Sequence, residues 1–455
     1  MRYVSIDPHT GKQTRSFPTL ESAEVRAALA RSETAFESWR RTSLEERAAV
    51  LRRAAATLRE DAQEHAVLMA QEMGKPVAAG RSEAEKCAWA CDYYAEKAGL
   101  FLADEPVETD AALSYVSYRP LGPILAIMPW NFPYWQVFRF AAPALMAGNT
   151  VLLKHAPNVP ECAQRLERLL AEAGLPEGCF QSLFLTNQQA GAVIRNRRVR
   201  AVTLTGSVKA GQAVAKQAAA RVKKTVLELG GSDPYLILED ADLEAAAAAC
   251  VQSRLVNSGQ SCIAAKRFIV VAPVRDDFVD AVVERMGAAN LGNPFDEGTE
   301  VGPQAREDLR DMLHEQVRGT VSKGARCVLG GEVPEGPGWY YPPTVLTEVR
   351  RGMPAYSEEL FGPVASVLTA RDRKHAIRLA NDTSFGLGAA VFTADVTEGE
   401  RIAREELNAG CCFVNSFVRS DPRLPFGGVM DSGYGRELGR HGILEFVNVK
   451  TVYVA

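Results

Sequence analysis

Between residues 124 and 231 short apolar strands alternate with helical stretches, and this rhythm constrains the fold more than any other feature of the chain. Residues 124–128, 150–154, 182–186, 201–205 and 225–229 read as strands. Helices are predicted over 159–173, ended by Gly174 with Pro176 beyond it, and over 209–220. Strand, helix and parallel strand in sequence form the βαβ unit, so an α/β fold with a parallel sheet is predicted. Such sheets bind ligands in the crevice beyond the carboxyl ends of their strands.

A second rhythm follows residue 234. Helices are expected at 242–256, 275–289, 304–322, 373–380 and 396–407, with strands at 267–272, 326–329, 388–393 and 411–415. Residues 20–100 read as helical, with a capping-box start at Ser43-Leu44-Glu45-Glu46. Strands around Tyr115–Tyr118 break that run, and residues 446–454 form a strand-like tail that needs a pairing partner, for which a neighbouring subunit is a candidate. A chain of 455 residues exceeds one core, so two or three domains are expected.

Several classes are disfavoured. A net charge of -4 gives no footprint for a nucleic acid partner. No run of about 20 apolar residues suggests a membrane span, and the first residues lack the apolar core of a signal peptide. Nine cysteines without a CxxC pair argue for a reducing, cytoplasmic setting rather than a disulfide framework. The adjacent Cys411 and Cys412 read as part of a buried strand. Six scattered histidines have no ligand spacing, so no metal is expected.

Four segments carry chemistry. Cys262 ends the polar loop Asn257-Ser258-Gly259-Gln260-Ser261-Cys262, between a helix and a strand, where a thiol meets a ligand rather than filling a core. Glu228 ends an apolar strand and is followed by Gly230-Gly231; partial burial would raise its pKa and suit it to general base work, the alternative being a salt-bridged strand-end carboxylate. Asn131, in Pro129-Trp130-Asn131-Phe132-Pro133, either donates to a developing oxyanion or caps the helix that follows. Gly206-Ser207 follows a short strand and opens a helix, whose free N–H groups suit a phosphate.

Together with Lys154, Glu358-Glu359-Leu360-Phe361-Gly362-Pro363, Val414-Asn415 and Pro425-Phe426-Gly427-Gly428, these segments resemble the aldehyde dehydrogenase superfamily in order and separation, from about residue 5 to the C-terminus. The resemblance implies a Rossmann-type cofactor domain (1–106 and 122–230), an α/β catalytic domain (231–431) and a small β oligomerisation element (107–121 and 432–455) in a homodimer or homotetramer. It implies Cys262 as nucleophile, Asn131 as oxyanion donor and Glu228 as the base that activates water. It places Pro129, Trp130, Lys154, His155, Pro157, Gly206, Ser207, Leu229, Glu359 and Phe361 around a nicotinamide cofactor. Pro157 stands where NAD-preferring members often carry Glu, so NADP is expected to be preferred, with Lys154 and His155 attracting its phosphate and NAD as a secondary acceptor.

For the substrate, Trp135, Arg139, Ser261, Ser420 and Phe426 are expected to line the tunnel. Arg139 and Ser420 match the residues that hold the far carboxylate in the shorter bacterial succinate-semialdehyde dehydrogenases; the alternative is that Arg139 pairs with a protein carboxylate. Val256 and Ala264 stand where some relatives carry a second arginine and a second cysteine. Another aliphatic or carboxylated aldehyde, transfer of the acyl group to CoA, and a catalytically silent binding protein are the alternatives.

Overall fold

A computed structural model describes residues 2–455. Two sheets and a small third one organise the chain. The first has six strands in the order Gly433–Tyr434, Lys224–Glu228, Ala201–Thr205, Pro123–Met128, Thr150–His155, Phe180–Ser182, all parallel except Gly433–Tyr434. Its inner strands are covered on both faces, which is why they read as unbroken apolar runs: Ile124, Leu125, Ala126, Val151, Leu152 and Leu153 are all fully buried.

The second sheet has seven strands, ordered Arg326–Leu329, Thr344–Thr347, Val364–Ala370, Arg267–Val271, Pro234–Ile237, Gly388–Phe392, Cys411–Val414. Only the edge pair Arg326–Leu329 and Thr344–Thr347 is antiparallel. Cys411 and Cys412 lie on the opposite edge strand and are half-buried. Among the described residues, no helix is long and apolar enough to cross a membrane.

The region 20–100 forms four helices, Ser22–Trp39, Leu44–Glu60, Ala62–Met73 and Val77–Phe101. Ser43 and Glu46 close the expected capping box. Three features depart from the sequence reading. The hairpin Arg2–Asp7 with Lys12–Pro18 has a largely exposed second strand with no apolar alternation, so it left no periodic signal. Strand Phe180–Ser182 lies before the expected 182–186 because its position is set by pairing with Val151–Leu153. The tail strand Val447–Val454 finds its partner within the chain, along Leu113–Pro120. Residues 433–434 pair with the six-stranded sheet, and the tail strand begins at Val447.

Candidate active site

The Cys262 loop is built by an unusual backbone. After the helix Leu243–Leu255, Asn257, Ser258 and Gly259 have φ of 54°, 56° and 75°, three successive residues in the left-handed region. A Cβ on Gly259 would stand 2.2 Å from the backbone of Gly362, so glycine lets the Glu359–Pro363 loop touch the cysteine loop. Polar bonds hold the shape: Gly302 N–H donates to Ser258 Oγ (2.9 Å), and Ala305 N–H to Gln260 Oε1 (2.9 Å). Arg254, near the position of the missing second arginine, is fully buried and donates to Gly259 O (2.6 Å). It supports the loop and does not line the cavity.

Lys266 was not singled out by the sequence reading. Its ammonium donates to the carbonyls of Ser261 (3.0 Å) and Cys262 (2.7 Å) and stands 3.5 Å from Glu359. Burial pushes the Cys262 thiol up to about 12, against the opposing pull of Arg139 and Lys266. Without a further positive charge the sulfur rests as a neutral thiol near pH 7.

Asn131 does not cap the following helix. Its Nδ2 donates to Gln260 O (3.0 Å), two residues before Cys262, and its backbone O accepts from Asn257 Nδ2 (2.6 Å). The helix Trp135–Met146 is capped by Glu83 instead, one carboxylate oxygen of which accepts the N–H groups of Tyr134 and Trp135, each at 2.9 Å. Glu83 also forms a fully buried ion pair with Lys75, whose ammonium lies 4.0 Å from the centre of the Phe132 ring. No motif marks Glu83. Its signal is an acid at a position where helix Val77–Phe101 presents its buried face.

Glu228 ends its strand fully enclosed. Neighbouring backbone fixes it on both sides: Gly206 N–H donates to Glu228 O (2.9 Å), and Leu229 N–H to Ser432 O (3.0 Å). Both carboxylate oxygens are buried without a protein partner. Gly427, at φ 155°, leaves room for one of them, because a Cβ there would come within 2.6 Å of Oε1. Burial, reinforced by the charge of Glu437, raises this carboxyl well above the usual range. It is not a salt-bridged strand end.

Cys262, Ser261, Trp135, Arg139, Ser420 and Phe426 all line one cavity of about 950 Å³. Glu228 and Asn131 lie outside that lining. Arg139 lines the cavity as expected, and it also takes the alternative named for it, pairing with a protein carboxylate. Its guanidinium is buried in an ion pair with Glu437, 4.6 Å from the centre of the Phe426 ring and 3.4 Å from Thr205 Oγ1. A protein carboxylate already balances its charge. Among the cations of the lining is one that sequence reading missed, Lys86, which donates to Ser420 Oγ (2.8 Å).

The residues expected to hold the cofactor lie around the carboxyl ends of the six-stranded sheet. Lys154 is buried with no carboxylate in ion-pair distance among the described residues, and both amide atoms of nearby Asn158 are buried without partners. Ser207 caps the helix Val208–Ala219 by accepting Ala210 N–H (3.3 Å), and Gly211 lets that helix rest on Leu229. Glu359 accepts Gly231 N–H (3.1 Å), and Phe361 meets Trp130 edge to face at 5.7 Å. Unpaired donors near Lys154 and no acid at Pro157 fit a phosphorylated ribose. His155 does not serve that end. It is buried, donates Nε2–H to Pro133 O (2.8 Å) and accepts Ala156 N–H at Nδ1 (2.9 Å). Burial lowers it to about 4, so it is neutral and holds the Pro129–Pro133 loop instead of attracting phosphate.

A thiol on a cavity wall, an amide that donates to its loop, a buried carboxylate and a donor-lined crevice are the kinds of group a covalent dehydrogenase uses. The chain belongs to the aldehyde dehydrogenase family, whose pattern spans residues 1–452. It is 49% identical over its full length, and the relative's full length, to succinate-semialdehyde dehydrogenase [NADP(+)] 1 of Mycobacterium tuberculosis. It is 48% identical, again with both chains fully covered, to a probable succinate-semialdehyde dehydrogenase [NADP(+)] of Synechocystis. The crystal structure of succinic semialdehyde dehydrogenase from Streptococcus pyogenes with NADP+ superposes with a TM-score of 0.97 at 37% identity, covering 99% of each chain.

Proposed function

We propose that the protein oxidises succinate semialdehyde to succinate, with NADP+ as preferred hydride acceptor and NAD+ as a weaker one. The observation that carries this reading is a single cavity holding both the Cys262 thiol and a cation, Lys86, bonded to Ser420. Full-length relatives named for this activity support it. Once its proton is lost to solvent, the Cys262 thiolate adds to the aldehyde carbon, forming the C–S bond while the carbonyl π pair moves onto oxygen as the oxyanion of a thiohemiacetal. The Asn131 amide has two N–H donors; one is bonded to Gln260 O, and the other, with the Cys262 backbone N–H, is offered to the oxyanion.

Hydride acceptance is the chemistry that a bound oxidised nicotinamide supplies, and its positive charge favours the Cys262 thiolate. Lys154, Glu359, Phe361 and the Gly206-Ser207 turn would hold it. Cys262 then carries the acyl group as a thioester. Glu228 takes a proton from water, the hydroxide adds to the thioester carbon, and the Cys262 thiolate leaves. A raised pKa suits Glu228 to receive that proton.

We place the enzyme in the cytoplasm as a homodimer or homotetramer. Val449, Tyr453 and Val454 are exposed on the edge strand that would meet a second copy. Sedimentation of wild type beside a variant truncated before Val447 tests the assembly. The test of function is an aldehyde panel crossed with both cofactors. The expected result is kcat/KM highest for succinate semialdehyde with NADP+. A butyraldehyde value equal to it, or an NAD+ to NADP+ ratio well above one, overturns the substrate or cofactor assignment respectively. Acyl-CoA formed on adding CoA would assign the second half-reaction to CoA rather than water.

A further inference from the structure

We propose that the buried Lys75–Glu83 ion pair positions the oxyanion site: it joins the loop that carries Asn131 to the loop that carries Cys262 and fixes one against the other. Glu83 and Lys75 are positioning residues and take no part in bond making. The inference rests on the reading of Asn131 as the oxyanion donor, and names what holds that donor in place.

Glu83 reaches the Asn131 loop from helix Val77–Phe101. One of its oxygens accepts the N–H groups of Tyr134 and Trp135, each at 2.9 Å. These donors open helix Trp135–Met146, where a helix leaves its first N–H groups without partners. A carboxylate there makes charge-assisted bonds to both. The other oxygen takes Lys75, whose ammonium stands 4.0 Å from the centre of the Phe132 ring, next in sequence to Asn131. Between these holds, Pro133 O accepts from His155 Nε2 (2.8 Å). Each residue from Phe132 to Trp135 is therefore tied, and Asn131 sits at the end of an immobilised segment.

Lys75 joins the same pair to the other loop. It lies in the turn Gly74-Lys75-Pro76, between helices Ala62–Met73 and Val77–Phe101. The turn packs on Gly302 and Pro303 so closely that a Cβ on Gly74 would come within 2.8 Å of the Pro303 ring. Gly302 N–H donates to Ser258 Oγ, and Ala305 N–H to Gln260 Oε1, both at 2.9 Å and both into the cysteine loop. One ion pair thus stands behind both halves of the oxyanion site, the Asn131 amide and the Cys262 backbone N–H. Direct bonds between the loops, Asn131 Nδ2 to Gln260 O (3.0 Å) and Asn257 Nδ2 to Asn131 O (2.6 Å), then set the angle of the amide.

Stability alone does not call for charges here. Attraction within a buried ion pair does little more than offset the lost hydration, and an apolar pair of the same volume serves as well. An apolar pair does not supply direction. The oxygens of Glu83 meet three donors, two from backbone and one from Lys75, and those bonds form in one arrangement only. Displacing a catalytic donor by about 1 Å costs up to about 100-fold in rate. Both oxygens of Glu83 are engaged, so it orients rather than reacts, although it borders the cavity.

The experiment is a mutant cycle read by the NADPH burst rate at saturating aldehyde, with aldehyde KM and NADP+ Kd measured alongside. It uses whichever aldehyde has the highest kcat/KM, so the substrate assignment does not enter. Glu83→Asp keeps the charge and withdraws the carboxylate by one methylene. Lys75→Met/Glu83→Gln removes both charges and leaves none unpaired. Each is expected to slow the burst about 30-fold, with KM and Kd within about threefold of wild type. Asn131→Ala should slow it about 100-fold. On the Asn131→Ala background neither change should slow the burst more than about threefold further, because an absent donor cannot be misplaced. Losses that multiply overturn the positioning role, as does a wild-type burst in both variants when Asn131 is present. Parallel losses in burst rate, KM and Kd also overturn it, since the pair would then support only the fold. An Asn131→Ala enzyme with a wild-type burst sinks the oxyanion reading itself, and the role of the pair with it. Either variant that folds is sufficient for the cycle.

Discussion

The two walls of the cavity are held by different physics. The wall carrying Cys262 is set by backbone: a left-handed turn at Asn257-Ser258-Gly259, a glycine contact with Gly362, and carbonyls gathered by Lys266. The facing wall, on helices Val77–Phe101 and Trp135–Met146, is set by charge: Lys75 with Glu83, Arg139 with Glu437, and Lys86 with only a hydroxyl. The first wall keeps one sulfur in one place for any aldehyde. On the proposed function the second selects the aldehyde, because a cation without a carboxylate partner is where an anion gains most.

Four substitutions can break or sharpen that contrast. Cys262→Ser should have the largest effect, lowering kcat by about 10⁴-fold for every aldehyde without altering aldehyde preference. A selective loss would show that the backbone-held wall contributes to selection. Arg139→Met leaves Glu437 buried without its counter-charge and should cost about 3–5 kcal/mol of stability by denaturant titration. A variant as stable as wild type, with lost preference for succinate semialdehyde, would return Arg139 to the role of anchor.

Glu228→Gln should slow deacylation about 100-fold while the initial NADPH burst persists. Its pH behaviour has a definite sign. Burial raises the Glu228 carboxyl, so the folded protein keeps a proton that the unfolded chain releases above about pH 4.3. Stability at this site is greatest below that unfolded value and falls as pH rises toward the folded one. Glu228→Gln should remove this slope, and the acid limb of kcat in wild type should lie above the ordinary carboxylate range. Pro157→Glu lies outside both walls. It should move the NAD+ to NADP+ ratio about tenfold toward NAD+ with aldehyde preference unchanged; no movement would place cofactor choice elsewhere than position 157.

The legibility of the site follows the same division. Cys262, Glu228 and Asn131 stand out because a thiol, an acid and an amide at the ends of apolar elements violate the local pattern. The Gly206-Ser207 turn is read from strand–turn–helix order, and Lys154 from the resemblance to the aldehyde dehydrogenases. Lys86 escapes, since lysine at one position of a charged, Ala-rich helix looks like a solvated face until that face is seen to turn inward. Arg139 is found but its partner is not: Glu437 lies in the Ser432–Leu438 segment before the tail strand, and nothing local announces that this segment returns to helix Trp135–Met146. His155 shows the converse, a residue placed correctly beside Lys154 whose ring is drawn inward by the Pro133 carbonyl.

By itself the sequence determined the parallel α/β organisation and pointed to the candidate reacting groups, because strand and helix periodicity and loop chemistry are properties of neighbouring residues and the order of the motifs carries the family resemblance. Only the tertiary structure decided which charges are neutralised and which remain for a ligand. That balance depends on burial and on partners brought from distant parts of the chain, and the energy of a buried charge is set by what surrounds it rather than by what precedes it.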